Sequence, residues 1–143
     1  MSSRRKAREL ALQLLFQTDL TGATPQEIVD LFWKVNETEL ETRQYAEFLF
    51  LKAFENQTQI DELIVAHAQH WRLERMAVVD RNVLRMAVVE LLYGDTPSIV
   101  VIDQAIEIAR KFSSDESPQF VNGILDSIKE DIEEKAVKEG KNG

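Results

Sequence analysis

Arg4-Arg5-Lys6-Ala7-Arg8-Glu9-Leu10-Ala11-Leu12-Gln13-Leu14-Leu15-Phe16 decides the fold class. Ala7, Leu10, Ala11, Leu14 and Leu15 recur at steps of three and four, the spacing that lays one apolar stripe along an α-helix. The same spacing returns near the other end in Phe120, Ile124, Ile128 and Ile132, with Val121 and Leu125 beside them. Prolines stand only at Pro25, Pro97 and Pro118, each just after Thr or Ser. That pair of residues marks a helix start: the hydroxyl accepts from a free backbone N–H, and proline gives up a donor that had no partner there. The chain is expected to be all-α.

Working outward, the pattern predicts helices near 4–20 and 25–34, helical sequence over 39–70 with a break near Asn56, and helices near 74–93, 98–112 and 118–136. That is six or seven in all. Ile99-Val100-Val101-Ile102 favours a strand by propensity, but it runs on into Asp103–Arg110, where Ile102, Ile106 and Ala109 share a face, and it has no second strand-like segment to pair with. It is read as helix. Gly94 is expected to end the preceding helix in the left-handed conformation, and the charged end from Lys135 to fray.

At 143 residues and 44% hydrophobic content, the chain suits one domain, or two small subdomains sharing a core, rather than a disordered tail. No apolar run approaches the length that spans a bilayer, so a soluble protein is expected. The basic N-terminus is followed by mixed sequence, and no export signal is visible. The absence of cysteine removes disulfides, thiol catalysis and sulfur-ligated metal sites. A reducing cytoplasm is the natural compartment.

A net charge of −8 would argue against a nucleic-acid partner, but its distribution does not. Arg4, Arg5, Lys6 and Arg8 are four of 17 basic residues, and no acid precedes Glu9, so the remainder holds 13 basic against 25 acidic residues, or −12. An acidic body with a basic tip suggests a localised anion site or, equally, a cationic end that aids solubility. On a helical wheel Arg5, Arg8, Leu12 and Phe16 span roughly 80°. Cations ending in an aromatic suit single-stranded RNA, whose phosphates need charge and whose bases stack on rings. The alternative is that Leu12 and Phe16 form a second apolar face.

Other candidates are weaker. His67, His70 and Glu74 have a spacing that brings three metal ligands to one helix face, although an exposed helix end accounts for the histidines without a metal. Trp71 is read as a core or inter-bundle anchor. Gly123, inside a helical pattern, costs about 1 kcal/mol relative to alanine; either another helix packs closely there, the favoured reading, or a ligand approaches the backbone near Phe120 and Asn122. No phosphate-binding glycine loop or nucleophile elbow occurs, so no catalytic residues and no cofactor are expected.

Three stretches together carry a resemblance: Arg4–Phe16; Val79-Asp80-Arg81-Asn82-Val83-Leu84-Arg85-Met86-Ala87 with Glu90-Leu91; and Ala105–Phe112 with Phe120-Val121-Asn122-Gly123-Ile124-Leu125. In order and spacing the chain resembles the NusB family of bacterial transcription antitermination factors over nearly its whole length. The resemblance implies an all-α, NusB-like domain over 1–143 of two packed helical subdomains, 1–72 and 73–136, with a flexible tail at 137–143. It implies binding to the single-stranded boxA element of ribosomal RNA leader transcripts together with the ribosomal protein NusE, within a termination-resistant RNA polymerase complex. Arg4, Arg5, Lys6, Arg8, Phe16, Phe120 and Asn122 inherit RNA contacts by this resemblance. Asp80 and Glu116 inherit contacts with NusE or the RNA–protein junction. Lys6 stands where arginine is common and Gln119 where a basic residue occurs, which points to weak RNA affinity without the partner. The resemblance extends to an N-terminal domain of ribosomal RNA cytosine methyltransferases, but a methyltransferase is not expected from a sequence of 143 residues. Two other classes stay in play: a helical adaptor for an acidic protein partner, and metal-dependent hydrolysis through His67 and His70.

Overall fold

The computed structural model describes residues 3–69 and 71–140. Among them are seven α-helices, Ser3–Thr21 (α1), Pro25–Val35 (α2), Leu40–Glu55 (α3), Gln57–His67 (α4), Val78–Tyr93 (α5), Ser98–Phe112 (α6) and Ser117–Gly140 (α7), and no strand. A short 3-10 turn, Leu73–Arg75, precedes α5. The β-branched run opens α6 as helix and buries Val101 and Ile102. Tertiary burial of that face overrides the strand propensity of the run.

The three prolines do not act alike. Thr24 caps α2, accepting from the Glu27 N–H at 3.4 Å, with Pro25 first in the helix. At α6 the cap is Pro97 itself, whose carbonyl accepts from the Val101 N–H at 3.1 Å. Thr96 is left to accept from Arg4 instead, at 2.9 Å. Ser117 is the first residue of α7, and its hydroxyl donates to Asp80 Oδ2 at 2.9 Å.

One glycine expectation needs correction here. Gly94 does end α5, but in extended backbone at φ −95° and not in the left-handed region. It must be small for another reason: a Cβ there would stand 2.9 Å from the Glu90 carbonyl oxygen. The left-handed cap is at Gly22, φ +70°, whose N–H returns to the Thr18 carbonyl at 2.9 Å and closes α1. At the other end α7 continues to Gly140, so the expected fraying from Lys135 is not observed over the described residues. The rest of the expected tail, 141–143, lies outside them.

One contiguous core runs through the molecule. α5 is its axis: every residue from Asn82 to Glu90 is buried, and the helix touches α1, α3, α4, α6 and α7. α1 lies along α3, while α6 lies along α7. Burying α5 entails burying its polar groups, and each of its arginines is answered. Arg85 bonds Asp61 at 2.8 and 3.0 Å and Asp19 at 3.0 Å, while Arg81 grips Asp19 at 2.7 and 2.9 Å. Burial alone would raise the Asp19 carboxyl, but the Arg81 and Asn82 hydrogen bonds and the charges of Arg85 and Arg81 hold it below the usual range. These contacts fasten the last turns of α1 and the start of α4 to the central helix.

Candidate nucleic-acid interface

The four cations at the start of α1 divide into two kinds. Arg8 is 3% exposed and grips Glu90, itself 2% exposed, through a bidentate pair at 2.6 and 2.9 Å. Tyr45 of α3 donates to the same carboxylate at 2.7 Å. Burial, then that hydrogen bond and the Glu90 charge, push the Tyr45 hydroxyl up to about 12. Arg4 lies over the Tyr45 ring, 4.3 Å from its centroid, and bonds Asp95 at 2.8 Å, which raises its pKa and depresses that of Asp95. Arg5 and Lys6 are exposed and have no partner among the described residues.

The expectation that Arg8 and Leu12 belong to an outward stripe with Arg5 is therefore wrong. Both are buried. A wheel gives the angle around the axis but not what covers it, and at Arg8 and Leu12 that sector is covered by the rest of the bundle. The exposed face instead carries Arg5, Glu9 and Phe16, which fall within roughly 40° on the wheel. Glu9 would place a negative charge in the middle of that face, but Lys111 from the last turn of α6 reaches it at 3.1 and 3.2 Å. Phe16 is half-buried and stands outside the core cluster. In sequence Lys111 is only one residue of a family stretch; its role depends on α6 ending beside α1, which no local pattern reveals.

Asp80, Glu116 and Phe120 come together as lining of one pocket of about 240 Å³ at the junction of α5 and α7, with Trp71 and Arg75. Trp71 was expected as an anchor but is 52% exposed, and its ring meets Phe120 edge-on at 5.5 Å. Buried Asp80 bonds Ser117 through Oδ2, while its Oδ1 has no partner among the described residues. Such an oxygen favours a donor brought by a ligand. Asn122 is exposed but two residues beyond Phe120, and residues two apart on a helix do not face each other. Gly123, three beyond, shares the side of Phe120 and is exposed; a Cβ there would meet nothing within 4 Å. The expected close packing of another helix at Gly123 is therefore absent.

His67 is engaged elsewhere: Nδ1 is 2.7 Å from Ser127 Oγ and Nε2 is 3.5 Å from Asp131, tying α4 to α7. His70, its expected companion, lies outside the described residues. Among those described, no group of three His, Asp or Glu side chains is placed to hold a metal ion, and no helix is long and apolar enough to cross a membrane.

An all-helical bundle with an exposed basic helix end and a polar-aromatic pocket defines a helical binding factor. The chain belongs to the NusB family, whose model it matches over residues 5–130. It is similar to the transcription antitermination protein NusB of Koribacter versatilis, 48% identical over 133 residues that make up 92% of this chain and 91% of that one. The structure of T. maritima NusB matches with a TM-score of 0.82 at 38% identity, covering 89% of this chain and 90% of that one. A structure of antitermination factors NusB and NusE in complex with double-stranded RNA matches with a TM-score of 0.82 at 28% identity, covering 91% of this chain and 98% of that one.

Proposed function

We propose that the protein binds the single-stranded boxA element of ribosomal RNA leader transcripts together with ribosomal protein NusE, and that the pair helps assemble a termination-resistant RNA polymerase complex in the cytoplasm. The observation that carries this is the uncommitted pair Arg5 and Lys6 at the exposed end of α1, beside Lys111 and above Phe16 on the same helix. Arg5 and Lys6 hold phosphates, Arg4 adds charge from its tether to Asp95, and Arg8 acts by fixing the helix to Glu90 rather than by touching RNA. Phe16 and Phe120 offer rings to unpaired bases, with Asn122 a polar contact from another face of α7. Asp80 and Glu116 meet NusE, and the pocket they line has room for a donor-bearing side chain. The relative solved with NusE on double-stranded RNA supports NusE and RNA as the two kinds of partner.

Titrating labelled boxA-type RNA with the protein, with and without NusE, tests this, with the same strand annealed to its complement as the comparison. Tighter binding to the single strand, strengthened by NusE, is expected. Preference for the duplex, or no effect of NusE, overturns the assignment. Asp80→Asn keeps an acceptor for Ser117 and removes the charge, so it should weaken NusE binding with the fold retained; unaltered heterodimer affinity by calorimetry would move the partner surface elsewhere.

A further inference from the structure

The second helix is only half used by the fold. Ile28, Val29, Phe32 and Trp33 are buried against the bundle, but Leu31 is 65% and Val35 77% exposed. These two, with Thr21, Ala23, Ile28 and Phe32, line a groove of about 600 Å³ between α2 and the last turn of α1. Contiguous apolar surface of this kind on an otherwise charged protein marks an interaction site. Its surroundings are acidic. Glu27 lines the groove, and Asp30, Glu37, Glu39 and Glu41 are exposed along α2 and the turn into α3; the cations nearby are Lys34 and Arg43, and Arg43 is committed to Glu47 at 3.5 Å and to the Trp33 ring. None of these five carboxylates has an ion-pair partner among the described residues, unlike Asp19 and Asp61 of the core.

We infer that this groove docks a basic amphipathic helix of a partner protein. An apolar trough beside unpaired carboxylates matches a helix that buries residues at i, i+3, i+4 and i+7 and carries lysine or arginine on its flanks. Phosphates are excluded by the same carboxylates that attract the helix. A second copy docking face to face would bring its own five acids against these. Gln17 and Thr21, the α1 wall of the groove, lie roughly 100–140° around the helix from Phe16, so a helix in the groove leaves the Arg5–Phe16 face open to RNA.

The test is amide-shift mapping on the ¹⁵N-labelled full chain. The probe is a synthetic amphipathic peptide of about five helical turns, leucines on one face and lysines on the other, compared with the same peptide carrying glutamate for lysine. Shifts confined to 17–36 with the lysine peptide, and none with the glutamate peptide, are expected. Leu31→Ser with Val35→Ser should weaken binding about tenfold, as should Asp30→Asn with Glu37→Gln; all four positions are exposed, and denaturant melts verify that each variant folds. BoxA-type RNA should bind equally with the peptide present. The proposal is overturned if the shifts fall on the acidic stretch 130–139 of α7, if the variants bind as well as the parent, if both peptides bind alike, if the α2 amides shift with protein concentration alone, or if peptide displaces RNA.

Discussion

Two regions of the molecule gather arginine, the start of α1 and the middle of α5, and they use it in opposite ways. In α5, Arg81 and Arg85 are fully answered by Asp19 and Asp61, carboxylates from two other helices, and serve only to let a central helix be buried. At the start of α1 the division runs through a single helix: Arg8 is as enclosed as Arg85, while Arg5, one turn earlier, is exposed with no partner among the described residues. A cation's role is thus set by what neighbouring helices bring within reach, not by its place in a charge run. The basic tip is two devices joined end to end, an anchor at Arg8 and an open site at Arg5 and Lys6.

The sharpest way to break this division is Arg8→Ala. It strands Glu90 in the core, and removing one partner of a buried pair costs about 3–5 kcal/mol, measured by denaturant unfolding. Arg8→Met with Glu90→Leu, which removes both charges, should recover most of the loss. If Arg8→Ala unfolded like the parent, Arg8 would have to be returned to the exposed set. The same network predicts an alkaline limit. Tyr45 stays protonated up to about 12 in the fold, against about 10 when unfolded, so its contribution is present below 10 and fades as pH rises toward 12. A tyrosinate absorbance titration compared with that of Tyr45→Phe should place the missing phase near 12, and a missing phase near 10 would deny the Glu90 contact.

Phe16→Ala probes the aromatic beside the open site. Half-buried and outside the core cluster, it should lose roughly 1–3 kcal/mol of RNA binding and less stability than the 3–5 kcal/mol typical of an emptied core aromatic. The reverse ranking would make it a core residue. Arg5→Ala with Lys6→Ala should leave the melt within about 0.5 kcal/mol of the parent, while the slope of log affinity against log salt falls by about 1.4, two phosphate contacts at ~0.7 each. An unchanged slope would place the RNA elsewhere.

The helices were legible because their apolar spacing is local: α6 begins and ends where the pattern puts it, and α2 within a residue. The site was legible only in its residue types. Nothing near Arg8 in sequence announces Glu90, 82 positions away, and Lys111 meets Glu9 across 102. Trp71 follows the same rule, since an aromatic between helices looks alike in sequence whether it is covered or open. Gly94 was correctly placed as a helix end for the wrong reason, because a contact with the turn behind it, not its own φ, forbids a side chain.

Gly123 gives the smallest and most discriminating effect. A glycine inside an exposed helix costs up to about 1 kcal/mol relative to alanine, and here a Cβ meets nothing within 4 Å, so Gly123→Ala should stabilise the protein by roughly that amount. Among the described residues no packing reason for glycine remains, and under the proposed function the bare backbone beside Phe120 is open to RNA. The two readouts should then move in opposite directions, with a higher unfolding midpoint and weaker binding of boxA-type RNA in the same variant. A stabilised variant with parental RNA affinity would remove this part of α7 from the RNA surface and leave the open site to α1 and the end of α6.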